Sequence, residues 1–205
     1  MATVYDLKSR FQDLLRPIVR ALARARITAN QVTLAALALS VIAGLAIALW
    51  PAAGLPLALL PLVLFLRMAL NAMDGMLARE HHQQSALGAV LNELGDVVSD
   101  LALYLPFALV PGVSPMAVVS LCLLAVISEM TGVVGIQIGA SRRYDGPLGK
   151  SDRAVLFGTL GLLLGIGLIG PVFANWVLAV ALLPAALTIF NRARKALAEV
   201  REGRP

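Results

Sequence analysis

The chain has 205 residues, of which 59% are hydrophobic and 14% charged, and its formal net charge is +5. Soluble domains are about half apolar, so this composition excludes an ordinary soluble enzyme. The charges are clustered and leave uncharged apolar runs of about 18 residues or more, the length of a membrane span, and about six such spans leave no room for a separate soluble domain.

Residues 4–26 place Val4, Leu7, Phe11, Leu14, Ile18 and Leu22 at spacings of three and four, with basic residues on the other faces. This pattern predicts an amphipathic helix lying on an anionic membrane surface, with Pro17 as a candidate kink. Spans are expected at 31–50, 57–77, 85–111, 115–140, 153–170 and 173–191, followed by a basic tail over 192–205. The expected fold is all-α: a polytopic membrane protein, with six transmembrane helices and an N-terminal interfacial helix in a single membrane domain over 1–205. The sole cysteine, Cys122, lies in an apolar run and reads as a small hydrophobe. No cleavable signal peptide is evident, because the N-terminus is polar and amphipathic.

Every Lys and Arg except Arg67 falls before the first span, after the second, after the fourth or after the sixth. By the positive-inside rule both termini and the 79–85 and 141–153 loops are cytoplasmic. Each basic cluster abuts a span, which disfavours nucleic acid as a partner. The outer loops hold no Lys or Arg, which weakens a transporter reading.

Polar residues inside spans are functional candidates by default, and here they concentrate between Asn71 and Asp100. Asn71, Asp74, Gly75 and Ala78 share one face of the second span. Gly88, Asn92, Asp96 and Asp100 recur every four residues along the third. The short loop between these spans lets the two stripes face each other. Carboxylate and amide oxygens gathered this way suit a hard divalent cation such as Mg2+ or Mn2+, with a bound diphosphate completing its shell. Glu80 and Glu93 are further sources of charge. His81 and His82 read as solvated loop residues.

The spacing Asn71-x-x-Asp74-Gly75-x-x-Ala78-Arg79, eight residues, Gly88, three residues, Asn92, three residues, Asp96 resembles the signature of the CDP-alcohol phosphotransferases. Ile27 to Thr33 is similar to that family's entry into its first span. The resemblance implies transfer of a phosphatidyl or phosphoalcohol group from a CDP-alcohol, with CDP-diacylglycerol the leading donor, to an alcohol acceptor in phospholipid biosynthesis, with release of CMP. It implies metal ligation by Asp74 and Asp96, close approach of the nucleotide at Gly75, Ala78, Arg79 and Gly88, and Asp96 as general base. It also implies location in the cell's inner membrane, with CDP-alcohol and lipid substrates; a homodimer is compatible with it. Asn71 and Asn92 stand where the family motif has aspartate, which points to one metal ion instead of two. The alternative to ligation at these two positions is hydrogen bonding between spans. The alternative to turnover is a catalytically degenerate member that binds lipid or nucleotide.

Asp100 extends the stripe by one turn and has two readings. In one it pairs with Arg67, which lies mid-span and needs a carboxylate, Asp100 or Glu129 or both. In the other it is a metal ligand that replaces the charge missing at Asn92. In the loop after the fourth span, Arg142, Arg143, Lys150 and Arg153 suit a substrate phosphate, with topology control as the plainer reading. Gly132, Gly135 and Gly139 are expected to permit close helix packing.

Overall fold

A computed structural model of the chain describes residues 4–203, with side chains from Arg10 onward. Val4, Leu7, Lys8 and Arg204, which enter the amphipathic-helix and tail expectations, have side chains outside the described residues. The described chain is helical and contains no strand: α1 (Val4–Arg24), α2 (Ala29–Leu49), α3 (Gly54–Ala58), α4 (Leu60–Glu80), α5 (Ala86–Tyr104), a 3-10 turn (Leu105–Leu109), α6 (Pro115–Gln137), α7 (Lys150–Gly165) and α8 (Pro171–Glu202). Four of these, α2, α4, α6 and α8, are long and apolar enough to cross a membrane. The other two expected spans are less regular. Helix α5 carries Glu93, Asp96 and Asp100 before passing into the 3-10 turn, and α7 has 16 residues.

The chain divides into two compact units, one made of residues up to Ile42 with Leu62–Asp100, the other of Ala43–Pro61 with the residues from Leu101 on. In the first unit α2 begins at a reciprocal cap. The Gln31 amide N–H lies 3.3 Å from Thr28 Oγ1, and the Thr28 N–H donates to Gln31 Oε1 at 2.9 Å. Such a capping box satisfies backbone donors that a helix start leaves open. A third donor, the Ala29 N–H, reaches Gln83 Oε1 at 2.7 Å and ties the helix start to the loop after α4.

Helix α1 packs into the first unit. Leu15 and Val19 are buried with Val32, Met73, Met76 and Leu77, and Phe11 and Leu22 pack against this cluster. Leu14 and Ile18, which the expected stripe contains, are instead 72% and 49% exposed. The helix thus has two apolar faces, one inside the unit and one outward. Arg16 fixes its orientation through two contacts to Glu80, Nη2 to Oε1 at 3.2 Å and Nε to Oε2 at 3.3 Å.

In the second unit α6 packs along α8, α3 against α7, and the 3-10 turn against α6. Tyr104 and Phe107 enclose Phe157 of α7, with ring centroids at 4.3 and 5.2 Å. The expected second span is broken: α3 ends at Ala58 and α4 restarts at Leu60, next to Pro61, whose ring removes a backbone donor. The expected tail is not separate from the last span. Helix α8 runs through Pro184 to Glu202, and Arg192, read as the start of the tail, is buried within it.

Candidate active site

The two motif stripes meet within the first unit. Asn71 of α4 donates from Nδ2 to Asp96 Oδ1 of α5 at 3.0 Å. Asp74, three residues further along α4, is 5% exposed. Its Oδ2 lies 2.7 Å from the Thr33 hydroxyl of α2. Hydrogen bonding thus anchors each motif carboxylate to another helix.

Arg67 underlies this pair. It is 3% exposed, and its Nη1 donates to Asp100 Oδ1 at 2.6 Å. Its Nη2 donates to the Asp96 carbonyl at 3.0 Å and lies 3.4 Å from Asp96 Oδ1. The guanidinium therefore spans one turn of α5. The expected Arg67–Asp100 pair is present, and it turns the Asp100 carboxylate onto Arg67. Glu129, the other expected partner, is engaged by three arginines of the second unit, described below.

The remaining motif positions fall at or near the surface. Arg79 is exposed, and its guanidinium folds back over Gly75, so that a Cβ there would lie 3.2 Å from Nη1 and Nη2. Ala78 is half-buried against the α1–α2–α4 cluster. Gly88 lies beneath Asn30, whose Oδ1 would stand 2.9 Å from a Cβ at that position. Asn92 is exposed. His81 is half-buried and His82 is exposed at a left-handed φ of 54°.

Among the described residues no three His, Cys, Asp or Glu side chains gather into a metal cage. The donor set nevertheless fits one hard cation. Magnesium is commonly held by one or two carboxylates, with substrate phosphates and waters supplying the rest. Asp74 and Asp96 would be the two carboxylates, with Asn71 and Asn92 as candidate neutral amide donors.

The basic loop belongs to the second unit and is tightly paired. Glu129 of α6 receives Arg142 Nη2 at 3.0 Å, Arg153 Nη2 at 2.9 Å and Arg192 Nη1 at 3.1 Å. Arg192 also donates to the Ser128 carbonyl at 2.6 Å and the Asp145 carbonyl at 3.2 Å. Arg143 contacts Asp145 Oδ2 at 2.8 Å and Glu199 Oε2 at 2.7 Å, and Lys195 reaches Asp145 Oδ1 at 2.7 Å. Hydrogen bonding to Lys195, and then to Arg143, holds Asp145 below the ordinary aspartate range despite its partial burial. Lys150 is half-buried as the first residue of α7. Gly132 is small for this loop, not for a helix: a Cβ there would stand 1.8 Å from Arg142 Nη1 and 2.5 Å from the Arg143 carbonyl.

Several contributors were not singled out by the sequence: Thr33, Gln83, Asn30, Arg192, Asp145, Lys195 and Glu199. A polar Thr33 just inside the first span was the available signal for the first. The partners of Arg192 and Glu199 lie some sixty residues away in the chain and leave no local pattern.

Comparison with known proteins identifies the family and the fold. The family model for CDP-alcohol phosphatidyltransferase matches residues 26–191. The inner membrane protein YnbA of Escherichia coli (strain K12) is 46% identical over 195 residues, covering 95% of this chain and 96% of that protein. The phosphatidylinositol phosphate synthase of Mycobacterium tuberculosis has a similar fold. Its crystal structure with CDP-DAG bound superposes with a TM-score of 0.74 at 20% identity, covering 90% of this chain and 92% of that one. A second structure of that synthase, in complex with manganese and citrate, gives 0.75 at 20% identity and 88% coverage of each chain. With its motif halves joined in space and the family model matched from Arg26 to Asn191, this integral membrane chain belongs to the CDP-alcohol phosphatidyltransferase family.

Proposed function

We propose that the chain transfers a phosphatidyl or phosphoalcohol group from a CDP-alcohol, with CDP-diacylglycerol the first donor to test, to an alcohol acceptor in phospholipid biosynthesis. The observation that carries this reading is the 3.0 Å contact from Asn71 to Asp96, which joins the motif halves of α4 and α5. Asp96 accepts the proton of the acceptor hydroxyl as that oxygen bonds to the β-phosphorus, and the β-phosphorus–oxygen bond to CMP breaks. Asn71 and Arg67 orient the Asp96 carboxylate for this role. Asp74 and Asp96, with amide oxygens from Asn71 and Asn92, would hold a single divalent cation, Mg2+ or Mn2+. When bound, that cation neutralises the diphosphate and stabilises charge on the leaving CMP. Gly75, Ala78 and Gly88 are the proposed approach for the nucleotide, and exposed Arg79, whose guanidinium covers Gly75, would move onto a phosphate.

Arg142, Arg143, Lys150 and Arg153 are proposed to steady a substrate phosphate. Their charge is partly spent on Glu129, Asp145 and Glu199, so the loop binds an anion through its net positive excess.

In the same proposal the chain is one membrane domain of the inner membrane. Helix α1 is interfacial, α5 and α7 complete six spans, and both termini and the aspartate site are cytoplasmic. A second reading, a member that binds lipid or nucleotide without turnover, is favoured by Asn71 and Asn92 standing at two motif aspartate positions. CMP release from CDP-alcohols, measured with and without Mg2+ and across glycerol phosphate, inositol phosphate, serine and diacylglycerol as acceptors, separates the two. Nucleotide binding with no CMP released under any combination would leave only the second.

A further inference from the structure

We propose that the Arg67 guanidinium is a built-in cation of the aspartate site, supplying the charge that a second metal ion would otherwise bring. The inference rests on the site assignment above but not on catalytic turnover.

The argument begins with charge. Asp74, Asp96 and Asp100 bring three negative charges into the first unit, and Arg67 brings one positive charge among them. Asp74, Asp100 and Arg67 are each at most 5% exposed, and the Asp96 side chain is 27% exposed. These four side chains sum to two negative charges, which one divalent cation balances. With no diphosphate bound, a second divalent cation would leave an excess of two positive charges in a largely buried place, where uncompensated charge is costly.

Geometry makes Arg67 part of the site and not a distant counter-ion. Its two terminal nitrogens divide between Asp100, at 2.6 Å, and Asp96, with the carbonyl at 3.0 Å and Oδ1 at 3.4 Å. The guanidinium is planar, permanently charged and fixed by this fork. Asn71 meets the same Asp96 oxygen at 3.0 Å with a neutral amide. An aspartate at 71 would put a second carboxylate against Asp96 and call for another cation; the amide does not. Arg67, Asp100 and Asn71 thus form one arrangement, in which fixed protein charge lowers the number of ions required.

The experiment counts ions. Purified full-length protein in detergent is titrated with Mn2+, and free Mn2+ is followed by electron paramagnetic resonance, without substrate. The wild type is expected to bind one ion per chain. Arg67→Met removes the positive charge in contact with Asp96 and Asp100, so it is expected to bind a second ion or to hold the first at least about tenfold more tightly. Asp100→Asn serves if Arg67→Met fails to fold. It lowers the site's negative charge by one and is expected to weaken Mn2+ binding about tenfold. Two ions of similar affinity in the wild type would overturn the proposal. So would unchanged Mn2+ binding in a folded Arg67→Met protein or, if that protein does not fold, in Asp100→Asn. A protein that binds one ion but releases no CMP would refute the transferase reading and leave this inference standing.

Discussion

The Thr33 hydroxyl lies 2.7 Å from Asp74 Oδ2 and links α2 to the buried motif carboxylate of α4. Thr33→Val keeps the shape and removes the donor. A hydrogen bond to a charged group contributes about 1.5–3 kcal/mol, so the variant is expected to fold, with Mn2+ affinity changed and CMP release reduced at least tenfold. Transfer rates equal to the wild type would show that Asp74 needs no such orientation. Asp74→Ala should go further and abolish cation-dependent CDP-alcohol binding, because it removes the only motif carboxylate of α4.

Glu129 gathers Arg142, Arg153 and Arg192 and so ties the 141–153 loop to α6 and α8. Glu129→Gln retains the size but removes the common counter-charge. Breaking a buried ion pair from one side costs about 3–5 kcal/mol. The expected result is a clear fall in Tm of the detergent-solubilised protein. A Tm within error of the wild type would mean that the remaining contacts, Arg192 to backbone carbonyls, Arg143 to Glu199 and Lys195 to Asp145, hold the loop without Glu129.

Much of this site was legible in the sequence because its residues recur at helical spacing. The stripes Asn71–Asp74–Gly75–Ala78 and Gly88–Asn92–Asp96–Asp100 each lie on one helix, and a mid-span Arg67 demanded a carboxylate. The choice between Asp100 and Glu129 was not legible, since both lie on apolar helices far from Arg67 in the chain. Glu129 went to Arg142 and Arg153, read as phosphate-binding or topology-setting residues of the loop, and to Arg192, read as the start of the tail. The same limit explains the tail: Arg192 to Glu202 looked like a tail separate from the last span, but Arg192 completes a buried network and α8 continues past it to Glu202. The break at Leu59 was foreshadowed by Pro56 and Pro61, yet an apolar run conceals it. The buried side of α1 escaped notice because Leu15 and Val19 stand one residue beyond the Leu14–Ile18 stripe.

Topology can be read with a cysteine in the basic loop, and the structure decides where. Gly146 is a poor position, because its φ is +131° and a Cβ would stand 2.5 Å from Thr188 Cγ2. Tyr144 is 68% exposed and better suited. Native Cys122 is buried. In Tyr144→Cys cells, an impermeant maleimide should label the protein only after the cytoplasmic face is opened. Labelling of intact cells would reverse the proposed orientation.

The loop anchor should also respond to acid in a defined direction. Asp145 has a folded pKa below its ordinary value, because Lys195 and Arg143 favour the carboxylate. Stability from a depressed carboxyl pKa is present above the unfolded value and is lost as pH falls through the folded one. The anchor should therefore persist wherever ordinary aspartates are ionised and weaken only below that range. Hydrogen exchange of residues 141–149 should rise there relative to neighbouring segments, after correction for the intrinsic exchange rate. In Asp145→Asn, protection should be lower already at neutral pH and show less further loss in acid. An identical acid profile in that variant would place the titrating group elsewhere.

Asn71→Asp tests whether position 71 faces the cation. The native amide donates to Asp96 Oδ1 at 3.0 Å. An aspartate there turns an attraction into repulsion between two carboxylates, and the repulsion is relieved only by a proton or a bridging cation. Without divalent cation the variant should be less stable than the wild type. With saturating Mn2+ the order should reverse, because an added ligand charge tightens binding, and a ligand bound only by the folded state stabilises it by mass action. The readout is Tm of both proteins across a Mn2+ titration at neutral pH. Crossing of the two curves is the expected result. Parallel curves, with the variant lower throughout, would show that Asn71 serves only to hold α4 against α5 and lies outside the cation's reach.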